Sequence, residues 1–362
     1  MQNPLFILLR IGLELSEPTD ADRMAFDGFG QKDWRELIAF AWKHAVGAIA
    51  FDGYQKLFDG KHQVIDKPLL LQWFAQTVAL EKRNGQQVDT LKQLCGSLIG
   101  NDCTVMLMKG QANALFYPNP LHRATGDVDI YTFDSYDLCN RKARELGAKV
   151  DESWYKHSQI FYNGDMFENH RYLVHTREGK RSKLLNEDMC KLATSQPNRF
   201  YKDTGILLPS PEFNAKFLTY HALTHFLSEG LRLKQVVDWV MFVNAEKENV
   251  NWSDLYSFCE KFHLRRFLDV MNDIAVHYFG VTLDDKDIVT SSPHTEKVLN
   301  SILYDEDFVF GSGEGSWRNR IHLLENLWKY RWKYKEIYQE SIVKQLYYYA
   351  AGYLFKTENL NK

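Results

Sequence analysis

The stretch VMLMKGQANALFYPNPLHRATGDVDIYTF, residues 105–133, is where the chain changes character. Its first residues form a short apolar run of the kind that becomes a buried strand. The run leads directly into Lys109-Gly110, and the residues that follow suit a short helix. Glycine at a strand-to-helix turn lets the backbone bend sharply and leaves its amides open toward a phosphate. A turn-rich loop, Tyr117-Pro118-Asn119-Pro120, comes next, and after it Gly126-Asp127-Val128-Asp129-Ile130.

Side chains alternate between the two faces of a strand, so Asp127 and Asp129 share one face while Val128 and Ile130 turn to the core. Their Cβ atoms then lie roughly 6–7 Å apart. Two ionised carboxylates at that distance repel by about 2–3 kcal/mol at an effective dielectric near 20. Aspartate is also a poor strand former. A strand that carries both beside a glycine turn needs something to neutralise them. Mg²⁺ (or Mn²⁺), held through one or two carboxylates together with substrate phosphates, would do so. A solvated edge strand with two incidental acids is the plainer alternative, and the Lys-Gly turn upstream weighs against it.

Around this segment the apolar period divides the chain into three zones. Residues 1–100 read as helical: Trp34, Leu37, Ile38, Ala41 and Trp42 recur at helical spacing, and a long amphipathic stretch follows. Residues 101–208 read as a small sheet domain. Asn163-Gly164 marks a hairpin between two strand-like runs, and a helix over 135–147 ends at Gly147. Helical periodicity returns over 209–362, where a helix starts at Pro211 and another near Leu231. The fold class expected is α+β, a small mixed sheet flanked by helical segments on both sides in sequence.

With 44 basic against 47 acidic residues among 362, the net charge of −3 provides no electrostatic footprint for long nucleic acid. The opening residues are too short an apolar run for a membrane span and lack the basic start of a signal peptide. Five scattered cysteines (Cys95, Cys103, Cys139, Cys190 and Cys259) without a CxxC argue for a reducing compartment, and the chain reads as cytoplasmic. Lys329 to Tyr334 interleave basic and aromatic residues, which suits either single-stranded nucleic acid or, the preferred reading, a packed helix with a charged outer face. The glycine-rich run Gly311–Ser316 has no Lys-Ser/Thr and no preceding strand, so it is a loop and not a phosphate-binding P-loop.

Taken together, the strand, Lys109-Gly110, the Tyr117-Pro118 loop with Arg123, and Gly126-Asp127-Val128-Asp129 resemble the nucleotidyltransferase-fold superfamily. More narrowly they are similar to the bacterial uncharacterised nucleotidyltransferase family, and the abortive-infection nucleotidyltransferases carry a related pattern. The segment HALTHFLSEGLRLKQVVDW, 221–239, is similar to that family's helical region, and the resemblance covers about residues 30–245. Gln111 stands where a serine is commoner after the glycine, which leaves Lys109 or backbone amides to meet a phosphate.

The resemblance implies transfer of a nucleoside monophosphate from an NTP to an acceptor, whether a small molecule, a sugar or a protein. Asp127 and Asp129 would hold the metal. A third carboxylate is implied on a later strand, and Glu168 in Glu168-Asn169-His170 fits better than Asp165, which sits beside the hairpin turn. Lys109, Gly110, Arg123 and Arg232 would contact the nucleotide, Arg232 from the helical stripe it shares with Gln235 and Trp239 by 0, 3, 7 spacing. His157, on the other arm of the hairpin, is placed across the sheet from Glu168 in this reading, and His221 and His225, one helical turn apart, would line the cleft or pack between helices more readily than bind zinc. Two other outcomes fit the same residues: a nucleotide- or partner-binding module that has lost transfer, and a toxin-like nucleotidyltransferase.

Overall fold

In the computed structural model the described residues are 3–58, 64–177, 179–195, 199–228, 230–305, 328–344 and 347. The glycine-rich run 311–316 and the aromatic residues beyond 347 lie outside them. The helices before the sheet are α1 (Pro4–Gly12), α2 (Asp20–Met24), α3 (Gln31–Lys43), α4 (Gly47–Phe58) and α5 (Lys67–Ile99). The middle of the chain holds β1 (Met106–Met108), α6 (Gly110–Ala114), β2 (Val128–Tyr131), α7 (Tyr136–Glu145), β3 (Lys149–Asp151), β4 (His157–Tyr162) and β5 (Asp165–His170). Then come α8 (Lys180–Ser195), β6 (Arg199–Phe200), β7 (Leu207–Leu208), α9 (Pro211–Ser228), α10 (Leu233–Glu246), α11 (Trp252–Phe262), α12 (Arg265–His277) and α13 (Thr295–Tyr304).

The strands form one mixed sheet in the order β3-β4-β5-β2-β1-β7-β6, so the expected α+β class holds. The β4–β5 hairpin turns at Asn163 and Gly164, both with positive φ (48° and 83°), as a type I′ turn requires. At the centre, β2 runs antiparallel to β1 and parallel to β5. Val128 and Ile130 are buried with Leu107, Ile160 and Phe167 against α5 and α7, which gives this face of the sheet its own apolar core. The opposite face, carrying the acids, turns toward α9 and α10.

The helices at both ends of the sequence share a second core. Phe6 of α1 packs its ring 5.2 Å from Tyr278 and 5.4 Å from Phe279, just beyond α12. Helix α1 also lies close along α4 because Gly53 has no side chain: a Cβ there would come 1.9 Å from the Leu8 carbonyl oxygen. The opening apolar run is therefore core, and no helix among the described residues is long and apolar enough to cross a membrane. Near the other end, Tyr334 and Ile337 are buried, and Tyr334 donates to the Leu227 carbonyl at 3.2 Å. Trp332 meets Phe226 edge-on at 5.9 Å, so this aromatic stretch packs inward as a helix-covering segment.

Helix α5, 33 residues and about 50 Å long, connects the two cores. Its first turns bury Leu69 and Trp73 with the helices, and its last turns bury Leu91, Leu94 and Leu98 against the sheet. Between them it buries polar side chains. Asn84 donates to the carbonyls of Leu121 (2.7 Å) and Arg123 (2.9 Å), and Gln87 donates to that of Gly126 at 2.7 Å. These bonds satisfy the loop backbone that delivers Asp127, which otherwise would be buried without partners.

One turn earlier in that loop, His122 is wedged between Asp52 of α4 (2.6 Å) and Glu81 of α5 (2.8 Å). Burial would lower its pKa, but the two carboxylates outweigh burial and raise it above the ordinary histidine value. A raised folded-state pKa stabilises fully below the unfolded value, about 6.5, and the contribution is lost as pH rises through the folded value. The wild type should therefore exceed His122→Gln in chemical-denaturation stability most at mildly acidic pH, and the gap should shrink above that range. A gap independent of pH across roughly 5 to 8, where histidine changes charge, would refute this.

Candidate active site

The acids converge as the alternation of β2 predicts. Asp129 is in register with Glu168 on the parallel neighbour β5 and with Met108 on β1. Register partners on adjacent strands project to the same face, so Glu168 joins Asp127 and Asp129 across the sheet. One carboxylate oxygen from each of the three lies within 4.8 Å of the others. Asp165, the rival third acid, is on the other side of that strand, buried and held by Arg83 at 2.5 Å and Gln87 at 3.3 Å. It anchors the hairpin to α5.

Charge decides how each acid behaves. The Asp129 carboxylate pushes the Asp127 pKa up, and burial adds to this, with Lys109 only partly offsetting them. Burial would raise Asp129 too, but Lys109 and His170 hold it well below the usual carboxylate range. Lys109 Nζ lies 2.7 Å from Asp129 Oδ1 and His170 Nε2 lies 2.8 Å from the same oxygen. Asp127 thus carries the uncompensated repulsion. Three hard oxygen donors, one of them in an unrelieved like-charge contact, are a fitting donor set for Mg²⁺.

Lys109 reaches this position through its backbone. Its φ of 40° and ψ of −139° are strained for a residue with a side chain, a cost of order 1–3 kcal/mol. The conformation turns the chain off β1 into α6 while keeping the ammonium over the acids. Gly110 follows with φ 25°, which glycine adopts at no steric cost, and lines the same cavity. Helix α6 is only five residues long, so it contributes a turn more than a helix dipole.

The acids form one wall of a cavity of about 680 Å³, within the ordinary range for a small-molecule site. The facing wall comes from α9 and α10. His221 and His225 both line it, their Nε2 atoms 3.1 Å apart, and burial drives the His221 pKa well below its ordinary value. On α10, Gln235 and Trp239 line the cavity as the helical stripe predicts. Arg232 stands at the N-cap of α10, exposed, and is not among the residues that line the cavity.

Arg123 does line the cavity, but Asp238 occupies its guanidinium: Nε to Oδ1 and Nη2 to Oδ2 are both 2.7 Å. Tyr117 donates to Asp238 Oδ1 at 2.7 Å as well. This buried cluster joins the loop before β2 to α10 across the chain, so Arg123 acts on the site first by holding its two walls together. Among the candidates from the sequence, the structure gathers Lys109, Gly110, Arg123, Asp127, Asp129 and Glu168 around one cavity and leaves Arg232 outside.

Two lysines escaped notice in the sequence. Lys156, just before β4, and Lys234, in the first turn of α10, both line the cavity. Burial, with Lys109 nearby, brings the Lys156 pKa down to about 8, and burial, with Arg123 nearby, does the same to Lys234. Neither lies in a recognisable motif. The only signal was Lys234 one residue from the Gln235–Trp239 stripe. With Lys109 and Arg123 these make four cations against four carboxylates around the cavity. A polyphosphate entering it would tip the balance to negative, which a divalent cation on the triad would correct.

A model of the uncharacterised nucleotidyltransferase family matches residues 30–280. The match spans the sheet, both walls of the cavity and continues past 245 through α11 and α12. No curated protein and no solved structure matches the chain.

Proposed function

The chain belongs to the uncharacterised nucleotidyltransferase family, and from that premise we propose that it transfers a nucleoside monophosphate from an NTP to the hydroxyl of a small molecule, a sugar or a protein, releasing pyrophosphate. The observation that carries this reading is the convergence of Asp127, Asp129 and Glu168 within 4.8 Å beside the Lys109-Gly110 turn, in a cavity also lined by half-buried lysines. Asp127 and Asp129 would hold Mg²⁺ (or Mn²⁺), with Glu168 completing the oxygen set. The ion, when bound, supplies charge neutralisation for the triphosphate and acidifies the attacking hydroxyl. Lys109, Lys156 and Lys234 would bind the phosphates and steady the charge that builds on the departing pyrophosphate. The histidine-lined wall, with Trp239, would orient the acceptor. Near-neutral overall charge and five free cysteines support a soluble acceptor, not long nucleic acid, and a reducing cytoplasm.

The test is pyrophosphate release from a panel of NTPs with and without Mg²⁺, in the presence of candidate acceptors. Release that needs the divalent ion and disappears in the Asp127→Ala, Asp129→Ala double variant supports transfer. Release that survives in that variant would refute the reading. A binding module without transfer is the second reading, favoured by the way Lys109 and His170 already occupy Asp129 Oδ1. It predicts Mg-NTP binding by calorimetry with no pyrophosphate from any NTP.

The lysines give the binding step a pH signature. Phosphate beside Lys156 and Lys234 raises pKa values that start at about 8, so binding takes up protons above that pH. Affinity for a non-hydrolysable NTP analogue should be flat below pH 8 and weaken above it, by at most about tenfold per pH unit for each lysine. Calorimetry in buffers of different ionisation enthalpy should show the uptake directly. Lys156→Met should reduce the slope, and an unchanged slope in both Lys156→Met and Lys234→Met would exclude these groups.

A further inference from the structure

One cluster shares Glu168 with the oxygen triad and adds two histidines to which the transfer reading gives no metal-binding part. His157 on β4 and His170 on β5 are register partners, and their rings lie 5.4 Å apart and nearly parallel at 23°. Both face Glu168 Oε2, His157 Nδ1 at 3.1 Å and His170 Nε2 at 3.7 Å. One ligating atom from each of the three lies within 4.8 Å of the other two.

Two details point to a cation. His157 Nδ1 is buried and makes no hydrogen bond among the described residues, although a carboxylate oxygen stands close by: the approach is not that of a hydrogen bond. On the neighbouring ring, His170 Nδ1 faces the Tyr172 carbonyl at 3.3 Å. A carbonyl only accepts, so Nδ1 donates there, while Nε2 of the same ring stands 2.8 Å from Asp129 Oδ1 and donates to it; a cation bound at Nε2 would take the place of that proton and leave Nδ1–H on the carbonyl. An outer carbonyl that fixes the tautomer in this way is the usual support of a metal-bound imidazole.

We propose that His157, Glu168 and His170 form a second cation site, a two-histidine, one-carboxylate set that takes a divalent transition ion such as Zn²⁺. Mg²⁺ prefers oxygen ligands, whereas imidazole suits the softer transition ions, so the two donor sets on this face of the sheet select different metals. Three protein ligands leave a coordination position open toward the cavity. Glu168 belongs to both sets and would bridge them. This goes beyond nucleotidyl transfer and stands or falls without it, since no nucleotide enters the test.

Metal-stripped full-length chain is equilibrated with Zn²⁺, and separately with Co²⁺ as a coloured substitute, in a large excess of Mg²⁺. One equivalent of each is expected to remain bound, with visible ligand-field bands for Co²⁺. X-ray absorption of the Zn²⁺-loaded wild type should count two imidazoles. His157→Gln should lose the bound equivalent, and Asp127→Asn should keep it. No stoichiometric binding against Mg²⁺, full binding in His157→Gln, or absorption without imidazole scattering would overturn the proposal. The imidazole count is taken on the wild type, so it decides even where a variant fails to fold. Pyrophosphate release that persists when no second ion binds would leave the transfer reading standing and this one refuted.

Discussion

Asp127→Asn should remove activity while leaving the protein as stable as before or more so. The loss of one metal-holding carboxylate removes several kcal/mol of transition-state stabilisation, about a thousandfold or more in rate. Stability moves the other way because of sign. Asp129 raises the Asp127 pKa, so the folded state disfavours the ionised carboxylate, and its charge costs stability at neutral pH. Asparagine keeps the shape and removes that charge. In metal-free buffer the variant should melt at or above the wild-type temperature at pH 7, and the advantage should fade as acid protonates Asp127 in the wild type. A variant that is both inactive and clearly less stable at pH 7 would show that Asp127 serves the fold. This opposition separates an acid kept for function from one kept for structure.

Arg123→Ala should produce the largest stability loss, about 3–5 kcal/mol, because it leaves Asp238 buried and unpaired. Arg123 and Asp238 are both almost fully buried, and their two 2.7 Å contacts are matched fork to fork. Removing only the third partner, in Tyr117→Phe, deletes one hydrogen bond and should cost about 1 kcal/mol. The double replacement Arg123→Met with Asp238→Leu removes both charges together and should recover much of the loss, since no buried ion is left uncompensated. Urea unfolding of the four chains measures each of these. Equal losses in the single and double variants would mean that packing, not charge pairing, holds the loop before β2 to α10.

Local periodicity made much of the fold readable. Trp34, Ile38 and Ala41 are buried along α3, Pro211 opens α9, and Asn163-Gly164 turns the hairpin. In each case neighbours in sequence determine the outcome: a helical stripe, a missing N–H, two residues tolerant of positive φ. Two of the three acids were readable for a similar reason, since the period of two at β2 and the residue just before it sends Asp127 and Asp129 to one side whatever the strand pairs with. Glu168 needed the family resemblance, because its closeness to Asp129 depends on β5 pairing parallel to β2 in that register. Arg232 looked suited to a phosphate on the helical stripe it shares with Gln235 and Trp239, yet it falls at the N-cap, where the chain has not entered the helix.

By itself the sequence determined the helix-sheet-helix order, the turn at Lys109-Gly110 and the two acids on one face, because each follows from the backbone geometry of adjacent residues. Only the tertiary structure decided which cations meet those acids. Lys156 and Lys234 arrive from different elements, Asp238 claims Arg123 across 115 positions, and His157 and His170 come together through strand pairing. Burial and charge act through space, so a lysine whose pKa falls to about 8 looks in the sequence like any other.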